Sequence, residues 1–115
     1  MPQPVNAPTI DLATFNELKA TAGDDFVTEL VDTFIEEAPQ MLAELRSAQA
    51  AGSADRFRRA AHSLKSNSQT FGATALGARA RDLELGGMPA DATPLDTLDA
   101  EYAQAAAALR GLCRG

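Results

Sequence analysis

Apolar residues recur at three- and four-residue intervals from about residue 11 to 112, and no stretch shows the period-two alternation of a half-buried strand. The pattern predicts helices throughout. Asp11 suits the N-cap of a short helix over about 12–20, with Leu12, Phe15 and Leu18 on one side. "AGDD" breaks and restarts the chain. A long helix follows over about 24–51, with Phe26, Leu30, Val31, Phe34, Ile35, Met41, Leu42 and Leu45 on its apolar side. Pro39 removes a backbone hydrogen bond from that helix and crowds the previous turn, so a kink is expected, with a full break as the alternative. The apolar register continues past the proline, which favours the kink.

"AGS" at 51–53 is a tight connection, with Ser53 as the expected cap of a third helix over about 54–71 that stops at Gly72. A fourth runs over about 74–85 and ends at Gly86-Gly87. "MPADATP" reads as a loop. Thr93, then Pro94 at the first helical position and Asp96 in the first turn, opens a last helix over about 94–112. Four substantial helices with short connections predict an all-α, antiparallel four-helix bundle with a short additional N-terminal helix. Residues 1–9 are expected to be a flexible N-terminal tail and 10–115 the bundle domain.

A chain of 115 residues is one domain, too small to hold a nucleotide-binding catalytic domain beside a second module. Its one cysteine, Cys113, cannot form an internal disulfide, so nothing argues for an oxidising compartment. No apolar run is long enough to span a membrane. "MPQPVNAP" has neither the basic nor the apolar region of a signal peptide. The expected location is cytoplasmic, and the start at "MPQP" suggests a free-standing protein.

Charge changes the picture locally. Arg56, Arg58, Arg59, Lys65, Arg79 and Arg81 lie in one segment without an acid, leaving −12 on the rest of a chain whose net charge is −6. Overall acidity disfavours nucleic acid, whose phosphates demand a net basic surface. A basic region inside an acidic protein suits a defined anionic partner, while its plainer reading is a solvated helix face.

The only histidine of the chain, His62, falls in that region. At 100° per residue Asp55, Arg58, Arg59, His62, Lys65, Ser66 and Gln69 form one stripe, and Phe57, Ala60, Ala61, Leu64 and Phe71 lie opposite. His62 is therefore at the centre of a polar face, where no core packing explains it. Lys65 and Ser66 lie one turn on and Gln69 two turns on, so the ridge could cradle a phosphoryl group carried by the ring. A neutral imidazole is a competent nucleophile, and a lysine ammonium is a point charge suited to phosphoryl oxygens.

"AHSLKSNSQTFGATALGARARDLE", residues 61–84, resembles the signature of histidine-containing phosphotransfer (HPt) domains. The matching residues are Ala61, His62, Leu64, Lys65, Ser68, Gly72, Ala73, Leu76, Leu83 and Glu84. The upstream "FIEEAPQMLAEL" is similar to the long kinked helix that precedes the histidine helix in that family. The resemblance covers about residues 10–112. It implies that His62 is phosphorylated on Nε2, that Lys65 contacts the phosphoryl group, and that Glu84 accepts from Nδ1–H and so orients the imidazole. Periodicity adds that Glu84 lies beside the seam of Leu76, Ala80 and Leu83 and can face the histidine helix. Local spacing alone leaves another reading open, a solvated carboxylate balancing Arg81. Ser66 stands where the family most often has Gly, and is expected to tune affinity.

By the resemblance the chain is a phosphorelay intermediate, without ATP-dependent kinase activity of its own. His62 would accept a phosphoryl group from an aspartyl phosphate on one receiver domain and pass it to an aspartate on another. The implied partners are response-regulator receivers and a hybrid sensor histidine kinase. Arg58, Arg59, Ser66 and Gln69 are the expected docking residues. No cofactor is expected in this chain; Mg²⁺ belongs to the receiver, and the protein is expected to be a monomer. The alternative is a bundle that docks on a receiver or kinase and inhibits it without carrying phosphate. With one histidine, one distant cysteine and no clustered ligand spacing, a metal or hydrolytic site is disfavoured.

Overall fold

The computed structural model describes residues 9–114, so the tail expected over 1–9 lies, apart from Thr9, outside the described residues. Five helices follow in order: α1 Leu12–Ala22, α2 Asp24–Ala51, α3 Ala54–Thr70, α4 Thr74–Gly86 and α5 Thr93–Arg114. Among the described residues there is no strand. α3 packs on α4 and α2, α5 closes against α2 and α4, and α1 lies across α2 and α3. None of these helices is long and apolar enough to cross a membrane.

The caps explain where the helices begin. The Asp11 carboxylate accepts from the Ala13 amide at 3.2 Å and starts α1. Ser53 precedes α3 as expected, but its side chain makes no capping hydrogen bond. α5 begins one residue earlier than the proline suggested, because Asp91 Oδ1 accepts from the Thr93 amide at 2.9 Å.

Burial follows the periodic pattern with two corrections. Val27, Val31, Phe34, Ala38, Leu42, Leu45 and Ala48 form the inner stripe of α2. Phe26, expected on that stripe, is 52 % exposed, because it lies 100° around the helix from Val27. Leu12, the first residue of α1, is also exposed, whereas Phe15 is buried. Phe71, at the end of α3, packs obliquely on Phe34 of α2 with ring centroids 5.3 Å apart.

Pro39 lies inside α2, and the helix runs on through it without the alternative break. Proline has no N–H to give to the Ile35 carbonyl four residues earlier. The Tyr102 hydroxyl of α5 donates to that carbonyl at 2.9 Å. A side chain thus replaces the missing backbone donor and fastens α5 to α2 at the same point. Tyr102→Phe should cost about 1 kcal/mol by leaving a part-buried carbonyl without its partner. A urea midpoint equal to wild type would show that the carbonyl does not depend on the hydroxyl.

Two glycines set how closely α3 and its neighbours approach. Gly72 sits at φ 74°, and the Asp11 amide donates to its carbonyl at 2.6 Å, which ties the start of α1 to the α3–α4 turn. A Cβ at position 72 would lie 2.7 Å from the Asp11 carbonyl oxygen, so the approach requires glycine. Within α4, a Cβ at Gly77 would lie 3.5 Å from Ser68 Cβ, which places the two backbones close together. The buried Ser68 hydroxyl is satisfied by donating to the Leu64 carbonyl at 2.7 Å. This close α3–α4 contact brings the polar edge of α4 beside His62.

Candidate functional site

α3 buries Phe57, Ala60, Ala61, Leu64 and Ser68, and α4 buries Leu76, Gly77, Ala80 and Leu83. The residues next to these seams are forced to its rim. On α3 these are His62 and Lys65; on α4 it is Glu84, one position past Leu83.

His62 Nδ1 and Glu84 Oε2 are 2.6 Å apart, although the two residues are 22 positions apart in sequence. Lys65 Nζ lies 2.6 Å from the other carboxylate oxygen, Glu84 Oε1. One carboxylate therefore holds both groups. The Glu84 side chain is 14 % exposed and the His62 side chain 58 % exposed, so the ring is anchored at one edge and open at the other. The ammonium and the ring thus sit at equal distances from the two oxygens of one carboxylate.

The pair with Lys65, more than any other contact, holds the Glu84 carboxyl below the usual carboxylate range. Partial burial opposes that shift, and the hydrogen bond with His62 adds to it. A carboxyl with a lowered pKa stabilises the fold fully above its unfolded value, and that stabilisation is lost as pH falls through the folded value. At neutral pH Glu84 is a carboxylate and can only accept. A hydrogen bond across this contact requires the proton on Nδ1, the tautomer in which Nε2 of the neutral ring keeps its lone pair.

The structure thus brings together His62, Lys65 and Glu84. The other four expected site residues, Arg58, Arg59, Ser66 and Gln69, are exposed on α3 but are not part of this cluster. Arg58 and Arg59 share Asp55, at 2.9 and 2.5 Å. Sequence reading put Asp55 on the same stripe without pairing it, although its i,i+3 and i,i+4 spacings were the signal. Arg56 is also held: it grips Glu44 of α2 through Nε and Nη2, and Nη2 reaches Ser47. Among the described residues no group of three or more His, Cys, Asp or Glu side chains converges as a metal site.

A family model described as the Hpt domain matches residues 29–108, most of the chain, including α3 and α4 entire. The chain belongs to the Hpt-domain family. No curated protein and no solved structure matches it. Hpt domains are phosphocarrier modules of two-component phosphorelays, not kinases, and they interact with receiver domains and histidine kinases.

Proposed function

We propose that His62 is the phosphoacceptor of this Hpt domain, receiving its phosphoryl group from an aspartyl phosphate on one receiver and passing it to an aspartate on another. The observation that supports this reading is the 2.6 Å contact between Nδ1 and the Glu84 carboxylate, which favours the tautomer with Nε2 unprotonated. The Nε2 lone pair attacks phosphorus, an N–P bond forms, and the P–O bond to the receiver aspartate breaks. The aspartate departs as a carboxylate. The ring gains positive charge as the bond forms, and the Nδ1 proton stays on the ring, held by Glu84. Reverse transfer to a second receiver runs through the same geometry. Mg²⁺ and the residues that polarise the phosphoryl group come from the receiver, and this chain supplies nucleophile, tautomer and docking face.

In this reading the four longer helices form an antiparallel bundle and residues 10–115 one domain, acting as a cytoplasmic monomer between a hybrid sensor histidine kinase and its receivers. Arg58, Arg59, Ser66 and Gln69 lie under the incoming receiver, with Ser66 limiting how closely it approaches. The test is transfer from a panel of phosphorylated receiver domains, followed by the acid-labile, base-stable signature of a phosphoramidate on the protein. A bundle that binds receivers and never acquires that label would be the non-transferring alternative.

Lys65 has a second role in this reading. Its ammonium already shares the Glu84 carboxylate with the ring, one turn from His62, so it is placed to contact the phosphoryl oxygens once Nε2 is loaded. Lys65→Ala should slow transfer and alter the lifetime of the phosphohistidine, while receiver affinity stays roughly unchanged. Rates and lifetime equal to wild type would leave Lys65 as a charge partner of Glu84 alone.

A further inference from the structure

Six basic side chains give the α3–α4 region its positive charge in sequence, and the fold pairs five of them. Arg56 is held by Glu44, Arg58 and Arg59 by Asp55, and Lys65 by Glu84, while Arg79 lies 4.0 Å from Glu101. The sixth is Arg81. It is exposed, and among the described residues no acidic side chain lies within ion-pair distance of it, although Asp82 follows it in sequence.

Arg81 is also well placed. It precedes Glu84 by three residues, one turn along the same face of α4, and Glu84 touches both His62 and Lys65. With Gln69 of α3, Thr14 of α1 and its own neighbour Asp82, it lines an open groove of about 360 Å³ formed by α1, α3 and α4. Gln69 is seven residues past His62, about 10 Å along the helix axis. A standard interface covers about 800 Å² on each partner, a disc of about 16 Å radius. Arg81 lies one turn of α4 from Glu84, which touches His62, so a partner of that footprint centred on His62 reaches it.

We propose that Arg81 is a specificity-determining docking residue, whose free guanidinium pairs with an acidic side chain on the surface of the receiver that meets His62. This rests on the reading of His62 as the group that meets a receiver. Charge complementarity favours it: the chain carries net −6, so its approach to an acidic active site needs a local positive group. Arg58 and Arg59 must exchange Asp55 to serve, and part of their attraction is cancelled before contact. Arg81 has no such partner to give up. It therefore contributes more to encounter rate and partner choice than the two arginines nearest the histidine.

The experiment uses the full chain and a receiver domain phosphorylated with acetyl phosphate, the fastest donor of a panel. Arg81→Glu should lower the second-order transfer rate constant about tenfold at low ionic strength and flatten its dependence on salt. Arg81→Lys should keep most of the rate, and Arg58→Ala should lose less than Arg81→Ala. Labelling of His62 by the small donor phosphoramidate, which needs no docking, should be unchanged in every variant. An Arg81→Glu protein with wild-type rate constant and salt dependence overturns the proposal. So does an equal loss with phosphoramidate, which would show damage to the site instead of to docking. If the wild-type chain accepts phosphate from neither donor, the phosphoacceptor reading itself has failed.

Discussion

His62→Gln should abolish phosphoryl acceptance while leaving stability within about 0.5 kcal/mol of wild type, the range usual for exposed positions. The expectation rests on two separable facts. The ring is more than half exposed and faces away from the seam formed by Ala61 and Leu64, so no core contact is lost. The glutamine amide can still donate to Glu84, so the carboxylate keeps a partner, but an amide nitrogen has no available lone pair for phosphorus. Phosphate incorporation from a labelled receiver and the thermal midpoint should therefore diverge, with the first falling to background and the second unmoved. Labelling of the variant would place the acceptor elsewhere in the chain. A large drop in melting temperature would mean that His62 carries structure as well as chemistry.

The helices themselves were legible because each long element repeats an apolar stripe over several turns, and glycine or proline marks most of its ends. Rotation about the axis was less so near the ends, where few turns constrain it; Phe26 and Leu12 were misplaced there, while Val31 and Phe34 were not. The donor that completes α2 at Pro39 could not be read at all. Tyr102 and Ile35 are 67 residues apart, and local spacing carries no information about that pairing. The candidate site divides in the same way. The position of His62 on a polar face follows from 100° per residue. The pairing of Glu84 with His62 came only from the family resemblance. Its pairing with Lys65 was not read, because the nearby Arg81 competes in sequence and only the α3–α4 approach at Ser68 and Gly77 selects Lys65. Charge was read as a sum of side chains, and the fold then set four carboxylates, Asp55, Glu44, Glu84 and Glu101, against five of the six cations.

Glu84→Ala should lower the rate of His62 phosphorylation on the order of tenfold or more, the scale on which orienting partners of functional histidines register. The nucleophile remains, but the ring is free to rotate and to place its proton on Nε2. Glu84→Gln separates the two tasks that the carboxylate now performs. If its amide oxygen faces Nδ1, the tautomer survives, but the NH₂ group then points at the Lys65 ammonium, donor against donor. If the amide turns to give its oxygen to Lys65, the NH₂ faces Nδ1 and the ring must shift its proton to Nε2, which blocks attack. Lys65 should therefore work against the glutamine variant, and Glu84→Gln should retain only part of the function. Adding Lys65→Ala to it should restore the Nδ1–H tautomer beyond the level of Glu84→Gln alone. ¹⁵N NMR of the imidazole reads the tautomer directly in all four proteins, wild type included. If Nδ1 is unprotonated in the neutral wild-type ring, or if the alanine variant transfers at full speed, Glu84 does not orient the histidine. If instead the double variant follows the single one, Lys65 has no influence on the ring through the residue at position 84, and the shared carboxylate is only a structural link between α3 and α4.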